Sequence, residues 1–140
     1  MKISKKTKEE VVREVINENF EGFIHDRPIV YGCCDKQRRI DFRKQFGSTL
    51  LAIEVDENQP KYYNEEDKVI WYDDIYLATG NVQKMLFIRF NPDGYIDSND
   101  MKHKAMLDSK GLRHVQEVKL RTNVLVEEMR RHIRRFKKDE

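Results

Sequence analysis

Apolar residues after Thr7 fall at Val11, Val12, Val15, Ile16 and Phe20, the spacing of one helical face. Thr7 with Glu10 three positions later forms a capping box, in which each side chain satisfies an N–H group left open at a helix start. Gly22 ends the helix, and the period then changes. Asp26-Arg27-Pro28 predicts a turn, since proline pushes its preceding residue out of helical backbone, and Ile29-Val30-Tyr31 begins extended structure. Residues 38–43, RRIDFR, predict a short strand closed by a turn at Phe46-Gly47-Ser48. The most hydrophobic run is Leu50-Leu51-Ala52-Ile53-Glu54-Val55-Asp56, and apolar character so nearly continuous predicts a central strand.

Asn58-Gln59-Pro60 breaks that strand. Over about 65–79, Val69, Ile70, Tyr72, Ile75, Tyr76 and Leu77 fit a helix closed by Gly80. Met85-Leu86-Phe87-Ile88-Arg89-Phe90 predicts another buried strand, ended by the turn signal Asn91-Pro92-Asp93-Gly94. Residues 97–112 are polar and predict irregular structure. Val118, Leu125, Met129, Ile133 and Phe136 then form the apolar stripe of a long last helix over about 114–137. Helix, two or three strands, helix, strand, helix is the order of an α/β domain with a mixed central sheet flanked by helices. A chain of 140 residues suits one domain, with its core over about 7–95.

Charge is balanced overall but not along the chain. Residues 1–49 carry 11 Lys/Arg against 8 Asp/Glu, residues 50–100 carry 4 against 11, and residues 101–140 carry 12 against 6. An acidic middle between basic ends suits a cation site flanked by polyanion-binding surfaces; a salt-rich solvated surface gives the same pattern. No apolar run approaches the roughly 18 residues of a membrane span, so no membrane partner is expected. The start, MKISKKTKEEVVREV, has no hydrophobic signal region and is rich in acids, unlike a secretory or transit peptide. The two cysteines, Cys33 and Cys34, are adjacent. They form neither a disulfide framework nor a zinc motif, which points to buried or turn residues in a reducing compartment. Cytoplasm, nucleus and a virus-associated setting all fit, and an organelle stays open.

The acids carry the candidate chemistry. Glu54 and Asp56 are two apart on the predicted central strand, so both project from one face. Burying two carboxylates in such an apolar strand is costly unless a cation or hydrogen-bond donors compensate. Asp41, on the preceding strand behind a short turn, is expected beside them. Three carboxylates at a sheet end suit a hard cation, Mg²⁺ or Mn²⁺, which generates hydroxide and stabilises charge at phosphorus. A single strand-end acid is more often a cap or a solvated residue; two spaced acids in an apolar strand are harder to explain that way.

The stretches GCCDKQRRIDF, LLAIEVDENQPKYY and FIRFNPDGY, in that order, resemble the Vsr-like family of restriction-endonuclease-fold domains. Those proteins read roughly Gly-Cys-Ser, Arg-Arg-Pro-Asp-Phe, Glu-hydrophobic-Asp-Glu-x-Gln-His and Phe-Ile-Arg-Phe-Asn-Pro-Asp, and the likeness covers about Tyr31 to Tyr95. The wider group, the PD-(D/E)xK nucleases, cuts phosphodiesters with Mg²⁺. The resemblance implies a restriction-endonuclease-like fold, with Asp41 at the motif aspartate, Glu54 at the second acid and Asp56 where the wider group usually has lysine. Ile40 stands in place of the family's proline, and Pro60 in place of a histidine. Lys68 and Trp71 replace an expected glutamate and arginine. Proline cannot bind a metal or shuttle a proton, and tryptophan cannot pair with an acid or a phosphate.

Other residues have weaker claims. Lys61 is a candidate cation near a scissile phosphate, or a flexible surface lysine. Glu14 and Glu18 share a helix face and are candidates for an added acid, or plain exposed residues. Arg89 is expected to pair with an acid, and His25, His103, His114 and His132 to be ordinary surface residues. Arg130, Arg131, Arg134 and Arg135 on the last helix suit a phosphate backbone, although cations near a helix C-terminus also offset its dipole. Two functions follow as expectations. One is a metal-dependent endonuclease acting on nucleic acid, DNA first, with Asp41, Glu54, Asp56 and Lys61 as its chemistry. The other is a nuclease-fold protein without turnover that binds nucleic acid or serves as a subunit of a larger assembly.

Overall fold

The computed structural model describes residues 7–30, 37–56 and 83–138. The helix expected over about 65–79, and Cys33 and Cys34, lie outside the described residues.

Helix α1, Lys8–Asn19, begins as its capping box requires: Thr7 Oγ1 accepts the N–H of Glu10 at 3.1 Å. It buries Val11, Val12 and Ile16. The N–H of Phe20 closes its last turn on the carbonyl of Ile16, and Gly22, at φ 80°, redirects the chain into β1, Ile24–Val30. The turn expected at Asp26-Arg27-Pro28 is therefore inside a strand. Proline is tolerated there because β1 is an end strand of the sheet among the described residues, where its missing N–H costs least. Within the strand Asp26 takes a positive φ of 44°.

Strand β2, Gln37–Phe46, is longer than the predicted six residues, and a two-residue turn with Gly47 at φ 58° joins it to β3, Thr49–Val55. Strand β4, Lys84–Phe90, lies parallel to β3, which completes a mixed sheet in the order β1-β2-β3-β4. The stretch predicted to be irregular holds a small hairpin, β5 (Tyr95–Ile96) with β6 (Lys102–His103), and a bridge between Leu107 and Arg113. Strands of two residues have no periodicity for sequence reasoning to find. The chain closes with α2, Val115–Lys138.

Both helices pack on one face of the sheet. Val11, Val12 and Ile16 of α1 and Val118, Leu125 and Met129 of α2 join Phe42, Leu51, Ile53 and Phe90 in one apolar cluster. The predicted stripe of α2 is thus in place, with Ile133 and Phe136 packed against the cluster's edge. Alternation along β3 sends Leu50, Ala52 and Glu54 to the other face, where Ile40, Leu50 and Ala52 form a second cluster flanked by Met85 and Phe87. Phe42 and Ile40 are two apart on β2 yet belong to different clusters. Simple alternation would keep them together, so β2 rolls over at the residue between them, Asp41.

Candidate functional site

The β2–β3 register runs from Phe46 opposite Thr49 to Phe42 opposite Ile53. One step further, Asp41 and Glu54 come opposite each other, and carboxylates take over from the ladder. Asp41 N–H donates to Glu54 Oε1 at 3.4 Å, and Val55 N–H donates to Asp41 Oδ2 at 2.8 Å. Both residues are half-buried. The Glu54 carboxyl is pushed up to about 8, first by burial, then by the negative charge of Asp41. A side-chain hydrogen bond with Asp41 and the charge of Asp56 push the same way, while the Asp41 N–H opposes them.

Asp56 follows the last residue of β3 and extends the parallel ladder, its N–H donating to the carbonyl of Phe90 at 2.8 Å. Its carboxylate is engaged: Arg89 Nη1 donates to both oxygens at 3.0 Å. Arg89 is also the register partner of Glu54 on β4, so Asp41, Glu54 and Arg89 form a row across three strands. The expectation that Arg89 pairs with an acid is met. Of the three predicted metal ligands, then, Asp41 and Glu54 meet each other and Asp56 meets a cation. Among the described residues, no group of three or more His, Cys, Asp or Glu is placed to hold a metal ion. Lys61, Pro60, Lys68 and Trp71 lie outside the described residues.

The Asp41–Glu54 pair still suits a small hard cation. Both groups are oxygen donors, and Mg²⁺ is commonly held by one or two carboxylates with water and substrate phosphate completing its octahedron. The high Glu54 pKa means that near neutral pH the pair retains a proton that a divalent cation would displace. Glu14 and Glu18 do not join the acids. They sit on α1, which packs on the opposite sheet face, and Glu14 Oε2 accepts from Arg113 Nη2 at 2.9 Å.

The basic side of α2 is exposed at Arg130, Arg131, Arg134 and Arg135. Arg130 is drawn toward α1, donating to Asn19 Oδ1 at 3.1 Å and pairing with Glu127, and Arg131 pairs with Glu128 at 2.6 Å. No acid pairs with Arg134 or Arg135 among the described residues.

Two groups were missed in the sequence. Arg121 is buried in α2, with Nη1 donating to the carbonyls of Asn91 and Asp93, Nη2 to that of Lys104, and Nε to Glu117. Its position three after Val118 and four before Leu125 was a signal that it shares the core stripe. His103, expected on the surface as were His25, His114 and His132, is half-buried like those three, and lies between Asp97 Oδ2, 2.8 Å from Nε2, and Glu117 Oε1, 3.1 Å from Nδ1. Its ring stacks on Tyr95 at 4.6 Å.

Comparison with family models, with curated proteins and with solved structures finds no match. Among the described residues, no helix is long and apolar enough to cross a membrane.

Proposed function

We propose that this chain is a restriction-endonuclease-like domain that hydrolyses nucleic-acid phosphodiesters, DNA first, with Mg²⁺ or Mn²⁺ held at Asp41 and Glu54. The observation that carries this reading is the half-buried Asp41–Glu54 pair at the carboxyl end of the central strand, where burial and then the charge of Asp41 push Glu54 up to about 8. Carboxylates forced together in this way repel each other, and a bound cation would relieve that repulsion. When bound, the metal supplies Lewis acidity and a water of lowered pKa. Glu54 and Asp41 would orient it, and the backbone N–H groups of Asp41 and Val55 fix the carboxylates in turn. Arg134 and Arg135, exposed on α2, would contact backbone phosphates by charge.

A second reading rests on the Arg89–Asp56 pair. With one of the three predicted acids held by a guanidinium, the domain would bind nucleic acid, or serve within a larger assembly, without cutting. The test is a cleavage assay on mixed DNA and RNA with Mg²⁺, Mn²⁺ or a chelator. The nuclease reading expects metal-dependent cleavage that Asp41→Ala abolishes. Cleavage that survives in Asp41→Ala would reject these residues as its source, and metal-independent binding without cleavage would favour the second reading.

A further inference from the structure

We infer that Arg89 is an intrinsic competitor for the divalent cation, holding Asp56 out of a site that would otherwise use three carboxylates. The inference rests on the reading of Asp41 and Glu54 as a cation site and concerns how that site is regulated.

The placement follows from the sheet. Parallel pairing aligns Glu54 of β3 with Arg89 of β4, and residues aligned in this way point to the same face. Asp56 lies two residues beyond Glu54, anchored by its N–H on the Phe90 carbonyl. From there its carboxylate is close enough to add to the charge that Glu54 feels. Asp56 is thus within electrostatic reach of the pair, and Arg89 satisfies both of its oxygens at 3.0 Å. The side chain of Asp56 is 16% exposed and that of Arg89 is 40% exposed, so the acid is the inner partner. A guanidinium cannot be deprotonated in a protein, so the pairing is not relieved by raising the pH. It can be relieved by a second anion. A phosphate arriving at the exposed side of Arg89 would compete with Asp56 for the guanidinium, releasing the third carboxylate as substrate binds. Metal affinity would then rise with substrate binding, and by linkage substrate affinity with metal.

The test is calorimetric titration of Mg²⁺ into the full chain without nucleic acid, for wild type, Arg89→Gln, Arg89→Lys and the Arg89→Gln/Asp56→Asn double variant. Arg89→Gln is expected to bind Mg²⁺ about tenfold more tightly or better, the scale on which a neighbouring group tunes a metal site. The double variant is expected to return to wild-type affinity, because it loses the competitor and the carboxylate together. Arg89→Lys keeps the charge without the fork and should fall between wild type and Arg89→Gln. Wild-type binding with unchanged or weaker binding in both single variants overturns this inference and leaves the cation site standing. Absence of Mg²⁺ binding in every variant overturns both. If Arg89→Gln does not fold, Arg89→Lys decides: affinity at or below that of wild type rejects the competitor.

Discussion

Asp41 Oδ2 accepts the N–H of Val55 at 2.8 Å, where an unbroken ladder would offer a carbonyl of β2. The carboxylate is therefore part of the sheet's end. It cannot swing away from Glu54 without giving up its bond to a part-buried strand N–H. The proximity of the two acids is built into the hydrogen bonding of the backbone and does not depend on a bound ion.

Stability should fall with pH because of this pair. Glu54 sits near 8 in the folded chain against an ordinary 4.5, so the folded state holds more protons than the unfolded chain between those values. Its stabilisation is complete below about pH 4.5 and is lost as pH rises toward 8. Glu54→Gln keeps the shape and removes the charge. Without metal it should melt a few degrees above wild type at pH 8.5 and show a flatter pH dependence, roughly the shift that about 1 kcal/mol gives in a domain of this size. Excess Mg²⁺ should narrow that gap by stabilising wild type more. Thermal melts from pH 5 to 9 check it, and parallel curves for the two proteins would remove the coupled pair from the account.

The β5–β6 hairpin should hold most firmly in mild acid. His103 is raised above its ordinary 6.5, mainly by its bond to Asp97 and then by Glu117, and Asp97 is lowered below 3.8, mainly by His103. The imidazolium contribution is full below about pH 6.5 and is lost as pH climbs through the folded value. The Asp97 contribution is full above about pH 3.8 and is lost as pH falls through its own lowered value. Amide exchange at Met101 and His103, corrected for intrinsic rates, should show protection falling above pH 6.5 in wild type. In His103→Gln it should show no such step.

Phosphate contact by α2 should be concentrated near its carboxyl-terminal end, where no acid pairs with Arg134 or Arg135 among the described residues. Arg134→Ala with Arg135→Ala should weaken binding to unrelated DNA sequences alike and flatten the log K versus log salt slope by about one unit per lost contact. Arg131→Ala should do less, because Glu128 already neutralises Arg131. Fluorescence anisotropy at several salt concentrations measures this. An unaltered slope in the double variant would rule the helix out as a phosphate-binding surface.

Legibility followed the range of the interactions. The start of α1 could be read because a capping box is local, and β3 and β4 because continuous apolar runs have few other uses. Strand β1 could not, since Pro28 signals a break unless its strand is known to lie at an edge. The meeting of Asp41 with Glu54 was foreseeable from spacing and a short hairpin. Which acid Arg89 would choose was not, because that depends on the parallel register across residues 56–83. Arg121 escaped notice because a charge in an apolar stripe is readily assigned to solvent, and its carbonyl partners come from loops far away in sequence.

Arg121 also acts as a key in a keyway. Apolar packing alone tolerates some rotation of a helix about its axis, but a guanidinium seated on three carbonyls does not. Turning α2 by one residue, about 100°, would pull that fork out of its socket and expose three acceptors. Arg134 and Arg135 lie about 20 Å further along the same rod, four turns away at 1.5 Å per residue. The direction in which they point is thus set at the far end of the helix, by the Asn91–Gly94 turn that directly follows the strand bearing Arg89. A substitution at Arg121 would therefore mis-aim a surface that it never touches.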